Sequence, residues 1–595
     1  MHQPLVVCDL ETYKNYFLAA FRNIETGKTA LIEMYEGRPL DTQRILRILR
    51  NHTIVTFNGI NYDVPILCLA LKQGATNADL KRASDAIILQ NLKPWDMERE
   101  FNIPKLPWLN HIDLIEVAPG MASLKIYGGR LHSKRMQDLP IAPNDLISPA
   151  DRIKLSSYCA NDLETTIDLY KKLKAQIDLR VAMTEEYGID LRSKSDAQIA
   201  EAVIKSQVER LKGDRVFRPE LVDDYEFVYQ KPNFINYKTD TLKNVLSLVV
   251  NSEFTLGTSG NVLMSKSLES TKIKIGSSVY RMGIGGLHSS EKSNAHKSDA
   301  KYVLKDKDVT SYYPSIIMNQ QLFPAHLGSN FLTVYKSILD RRVAAKKSGD
   351  KVTNEALKIV LNGSFGKFGS RWSNLYSPDL LIQTTVTGQL ALLMLIESLE
   401  LAGFKIVSAN TDGIVIKCER TREAAMESVI AAWEKTTNFT TEEAIYEALY
   451  SRDVNNYVAL KQGGGVKLKG AYAAPGLQKN PSNQICVDAV VNYLTKGTPV
   501  DETIEWSTDI RKFVTIRQVK GGGIKDGVYL GKAVRWYYAK GEKGYIEYKL
   551  NGNKVAKSDG AKPLMLLPDL FPTDVDYEWY IKEATEILHD IGALL

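Results

Sequence analysis

The stretch FKIVSANTDGIVIK, residues 404–417, decides the reading of this chain. Two runs rich in β-branched residues flank Asn-Thr-Asp-Gly, so the pattern predicts an antiparallel hairpin with Asp412 lifted to an exposed tip. A carboxylate held there by rigid strands is available to a cation. Upstream, KYVLKDKDV (301–309) predicts a strand that leads to Asp308, followed by TSYYPSIIMNQ. Between the two carboxylates lie FLTVYKSILDRRVAAKK (331–347) and TNEALKIVLNGSFGKF (353–368), predicted helices joined by the turn SGDKV. Arg342 and Lys346 share one helical face at four-residue spacing, and Lys358 answers from the second helix.

The N-terminal third carries a second set of acids. PLVVCDLET (4–12) predicts a short apolar strand ending in Asp9 and Glu11, which the two-residue period of a strand places on one side. A further apolar run, HTIVTFNGINYDVPIL (52–67), brings Asn58, Tyr62 and Asp63. SPADRIKLSSYCANDLETTIDLYKKLKAQ (148–176) predicts a helix with Ser148 as N-cap, Pro149 in the first turn, and Tyr158 and Asp162 on one face. Taken singly, each of these residues has a more ordinary reading as a cap, a turn residue or a solvated charge. Their conjunction outweighs those readings.

In combination they resemble family B DNA polymerases. DVTSYYPSII (308–317) is similar to that family's first motif, KIVLNGSFG (358–366) to its second and NTDG (410–413) to its third. The resemblance implies catalytic metal ligation by Asp308 and Asp412, each site holding two Mg²⁺ ions that Mn²⁺ could replace. It implies that Tyr313 gates the incoming sugar, that Arg342, Lys346 and Lys358 bind the triphosphate, and that Asn362 and Phe365 lie under the nascent base pair. Asp9, Glu11, Asp63 and Asp162 with Tyr158 resemble the proofreading 3′–5′ exonucleases of the same family, with Asn58 against the frayed strand. Asn410, Gly363 and Gly413 depart from the family pattern, as does Asn455 two residues before Tyr457, in a motif that faces the primer duplex. Lys461, Lys467 and Lys469 are therefore expected to supply phosphate contacts.

The implied fold is α+β and multidomain: a ribonuclease H-like exonuclease domain plus a right-hand polymerase of palm, short helical fingers and thumb. Expected boundaries are 1–185 for the exonuclease, 186–330 for a linker and the first part of the palm, 331–369 for the fingers, 370–460 for the rest of the palm and 461–595 for the thumb and a DNA-binding region. Basic strands such as FVTIRQVKGGG and LGKAVRWYYAKG in the last part are expected to grip something acidic.

Composition narrows the alternatives. With 595 residues, several domains of about 100 to 200 residues each are expected. Five scattered cysteines without a CxxC pair argue against a disulfide framework or a zinc site. No run is read as reaching the roughly 18 apolar residues of a membrane span, and the N-terminus lacks a signal-peptide pattern, so a cytoplasmic location is expected. Only 34 residues separate Asp308 from Arg342 and 54 separate Lys358 from Asp412. Those gaps leave no room for the large insertions of protein-primed members of the family, so no terminal protein is expected. The resemblance further implies primer–template DNA and dNTPs as partners, no membrane, and a monomeric enzyme of compact bacteriophage type. The rivals are a nuclease with a degenerate polymerase half and a non-catalytic DNA-binding protein.

Overall fold

The run LVVCDLETY forms the strand Leu5–Tyr13, which turns tightly into Tyr16–Asn23, with Tyr13 and Tyr16 paired and buried at the turn. Thr29–Met34 pairs beyond that hairpin, while Thr53–Thr56 and His111–Asp113 add in parallel on the other side, completing a mixed five-stranded sheet. The helix Pro149–Lys172 packs on this sheet; Ser148 caps it as the sequence predicts, and Asp151 answers with its own side chain to complete a capping box that the sequence reading did not name. The computed structural model describes residues 3–594.

The basic C-terminal strands lie within the first unit, with Lys520, Lys532 and Lys540 exposed. Thr515–Lys525 and Val528–Tyr538 make a hairpin within a four-stranded sheet that packs on the helix Leu124–Arg130, burying Ile516 and Ala533 against Ile126 and Met136. Arg535 is wholly buried and donates to the carbonyls of Leu564 (2.7 Å) and Ser133 (2.9 Å), and Lys525 donates to Glu542 and to the carbonyl of Ala561, both at 2.5 Å. These cations satisfy buried acceptors and are spent on the fold. Residues 1–195, 475–485 and 504–580 accordingly form one unit, and 196–474, 486–503 and 581–595 the other, so the expected C-terminal region is divided between them.

The second unit is built on a ten-stranded sheet, antiparallel at every pairing. At its centre Tyr302–Val309 lies between Gly413–Glu419 and Thr441–Asp453. Alternation sends Lys305 and Lys307 to one face, where both sit within 3.1 Å of Glu427 and Glu443, and leaves Asp306 and Asp308 on the other. The helix Pro378–Leu401 is apolar and long enough to pass for a membrane span, contrary to the sequence expectation, yet it lies in the core of this unit. Its buried Glu397 accepts backbone N–H groups of Lys238 and Thr239, the contacts of a core helix.

The predicted helical hairpin is present as Asn330–Ser348 and Lys351–Phe368, the second starting earlier than expected because Asp350 caps it, accepting from Thr353 N–H at 3.0 Å. A third helix, Asp196–Lys212, packs against both. Gly363 marks the closest approach: a Cβ there would stand 2.7 Å from the carbonyl oxygen of Asp196 and 2.9 Å from Cβ of Ala200. The family's serine has no room.

Candidate functional site

Two carboxylate centres emerge, one in each unit. In the second unit the hairpin Lys405–Asn410 and Gly413–Glu419 turns through Thr411 and Asp412, and Gly413 pairs directly with Asp308, bringing the two predicted acids to adjoining strand ends. The left-handed residue of the turn is Thr411 (φ 52°), not the glycine. Such a backbone costs a β-branched residue energy, and the neighbourhood holds it: Thr411 N–H donates to Leu287 O at 2.8 Å, and Gly286 lies against its side chain. The glycine-rich stretch at 280–290 thus backs the turn.

Around Asp308 and Asp412 lies a cavity of about 180 Å³ that also receives Asp306, Asn410, Tyr446, Tyr457, Lys467 and Lys469. Burial and then the charge of Asp306 push the Asp308 carboxyl up to about 6, and burial raises that of Asp412 as well. Asp306 was missed in the sequence, although the strand period that pairs Asp9 with Glu11 pairs it with Asp308. Lys467, expected on DNA phosphate, turns inward instead, 3.0 Å from Asp306 and 3.9 Å from Asp308. Lys469 and Tyr457 line the same cavity, whereas Lys461 is exposed and outside it. Asn410 donates to Val454 O at 3.2 Å and to Asn455 Oδ1 at 3.3 Å, so two of the departures from the family pattern meet in space. Gly413 leaves room for the Asp308 carboxylate, which a Cβ at that position would strike.

A second cavity of about 220 Å³ shares Asp308 and is walled by Thr310, Ser311, Arg342, Lys346 and Glu442. Arg342 donates to Ser311 Oγ at 3.2 Å while its buried Nε finds no partner, and Lys346 pairs with Glu442 at 3.3 Å. Lys358 is not brought to this cavity; it is exposed and 3.6 Å from Glu355 on its own helix. The Tyr313 ring stacks on Phe365 with centroids 4.1 Å apart, and its hydroxyl donates to Gly285 O at 2.9 Å. Asn362 is exposed on the same helix as Phe365.

In the first unit Asp9, Glu11 and the Cys159 sulfur offer atoms within 4.8 Å of one another. Asp162 joins this group electrostatically. Burial, followed by the Asp162 charge, pushes Asp9 up to about 7, and burial likewise raises Glu11, Asp63 and Asp162. The thiol of Cys159 donates to Asp9 Oδ2 at 3.2 Å; all five cysteines are buried and none is in a disulfide. Tyr158 shares its helical face with Asp162, and Lys125, absent from the sequence reading, reaches both: it donates to the Tyr158 hydroxyl and stands 3.5 Å from Asp162. Asn58 (φ 66°) belongs to a loop organised by another acid the sequence did not reveal, the buried Asp113, which accepts N–H from Asn58 at 2.7 Å and from Ile60 at 2.9 Å.

In the second unit the donors of Asp308 and Asp412 are oxygens at adjoining strand ends, the kind a hard divalent ion takes, whereas in the first unit the Cys159 sulfur lies beside the oxygens of Asp9 and Glu11. No family model and no curated protein matches the chain. Among solved structures it is similar to the family B DNA polymerase from the hyperthermophilic archaeon Pyrobaculum calidifontis, at 14% identity over the whole of this chain and 78% of that one, with a TM-score of 0.43.

Proposed function

We propose that the chain is a template-directed DNA polymerase that adds dNTPs to a primer 3′ end and proofreads with a 3′–5′ exonuclease. The observation that carries this reading is the meeting of Asp308 and Asp412 at paired strand ends, beside a cavity whose far wall holds Arg342 and Lys346. Asp308 and Asp412 would hold two Mg²⁺ or Mn²⁺ ions, which when bound activate the primer 3′-oxygen and stabilise the leaving pyrophosphate. Arg342, with a buried donor unused, and Lys346 would take the triphosphate. Tyr313 would face the sugar, where its ring excludes a 2′-hydroxyl.

In the first unit Asp9, Glu11, Asp63 and Asp162 would hold ions at a scissile phosphate, with Tyr158 orienting water and Lys125 holding Tyr158 and Asp162 in place. The mixed sheet, with the acids on its central strand, agrees with the ribonuclease H-like domain the resemblance implies. On this reading the enzyme works in the cytoplasm as a monomer on primer–template DNA, without a terminal protein, in replication of a phage genome.

The test is a gel assay of a 5′-labelled primer on a longer template with Mg²⁺, with and without dNTPs, for wild type and Asp412→Ala. Extension lost in the variant, with primer shortening retained in both proteins, is the expected result. Shortening without any extension in wild type would leave only the nuclease, and neither product would refute both sites.

A further inference from the structure

The acid that the strand period adds to the second unit's centre, Asp306, is buried and already has two partners. Its Oδ2 accepts from the Tyr446 hydroxyl and from the Lys467 ammonium at 3.0 Å, and Tyr446 approaches it from the neighbouring strand Thr441–Asp453. Lys467 comes from Val466–Leu468 at the sheet edge, three strands away in the order, and its ammonium lies 3.0 Å from Asp306 and 3.9 Å from Asp308. At 3.9 Å the ammonium stands beyond hydrogen-bond distance of Asp308. In direct contact with Asp308 it would repel an incoming divalent ion. Asp306 holds it back from that contact: it is the nearer acid, at 3.0 Å, buried and fixed by Tyr446.

We propose that Asp306 is a positioning residue that keeps Lys467 parked off Asp308, so that the Asp308–Asp412 centre stays open to its divalent ion. Without Asp306 the ammonium has one acid left within reach, Asp308, and closes the site. This inference rests on the polymerase reading of that centre. It concerns a device that the metal-binding acids alone do not provide.

The experiment measures Mn²⁺ binding to the full chain by electron paramagnetic resonance, in a background carrying Asp9→Ala and Glu11→Ala so that the first unit's centre is silent. Asp306→Asn is expected to weaken binding about tenfold when Lys467 is present and less than about threefold in a Lys467→Met background, a non-additivity that marks coupled residues. Lys467→Met alone is expected to bind Mn²⁺ more tightly than wild type. Equal factors for Asp306→Asn in the two backgrounds would mean that Asp306 contributes only its charge, and would overturn the parking role while leaving the polymerase centre intact. Mn²⁺ binding indifferent to Asp412→Asn would overturn both, since the remaining ion then lies elsewhere. Circular dichroism of each variant identifies any that fails to fold, and Tyr446→Phe, which removes one hydroxyl and no charge, then serves in place of Asp306→Asn with the same sign expected.

Discussion

Two glycines three residues apart in the helix Lys351–Phe368 should respond oppositely to the same substitution. Gly363→Ala and Gly366→Ala each replace glycine inside a helix, where alanine is favoured by about 1 kcal/mol on propensity alone. At Gly366 the new methyl meets nothing within 4 Å, so that gain, about 0.5 to 1 kcal/mol, should be realised. At Gly363 the methyl meets the Asp196 carbonyl oxygen at 2.7 Å, Ala200 Cβ at 2.9 Å and Ala197 Cα at 3.1 Å. These are the backbone and the shortest side chains of the facing helix, and none can rotate away. Overpacking of this kind costs about 1 to 3 kcal/mol, leaving Gly363→Ala a net loss of up to about 2 kcal/mol. Amide hydrogen exchange followed by mass spectrometry reads each helix separately, which matters in a chain of two units. At about 1.4 kcal/mol per factor of ten, peptides from 196–212 and 351–368 should exchange faster in Gly363→Ala, by up to roughly 30-fold, and a few-fold slower across 351–368 in Gly366→Ala. Shifts of the same sign in the two variants would refute the argument, because propensity would then outweigh the packing against Asp196–Lys212.

The acid centres make a pH prediction. Folded Asp9 holds its proton up to about 7 and folded Asp308 up to about 6, while the unfolded chain releases both near 4, so between those limits the folded state binds more protons and its stability falls as pH rises. In EDTA the melting temperature should therefore drop from pH 5 to pH 7.5, and Mg²⁺ or Mn²⁺ should restore it at pH 7.5 with little effect at pH 5; a melting temperature that climbs over this range without metal contradicts the raised values. Tyr313→Ala should relax sugar discrimination, measured as the ratio of dNTP to rNTP incorporation on one template, and an unchanged ratio would remove Tyr313 from the gate.

What the sequence disclosed was local. The Asn-Thr-Asp-Gly hairpin, the Ser148 N-cap and the helical pair each depend on residues a few positions apart, and all are present, the second helix beginning two residues early. Asp306 was within reach by the strand-period argument that singled out Asp9 and Glu11, but a lysine on either side made it look like a solvated run. Lys467 and Lys125 were beyond reach, because their roles depend on strand order and on packing between helices distant in sequence. Arg535 misled for a related reason: a basic strand announces its charge and not whether that charge faces solvent or buried carbonyls.

The way the chain divides between its units constrains how it can be made. The first unit begins at the N-terminus but takes its four-stranded sheet from residues 515–563, and the chain crosses between units after 195, 474, 485, 503 and 580. During synthesis Ile126 and Met136 therefore wait, uncovered, for partners that are translated some four hundred residues later. The usual order, in which an N-terminal domain folds before the next one emerges, is closed to this protein. Its first unit stays unfinished while most of the second is translated, and a fragment ending at 195 lacks part of that unit's core.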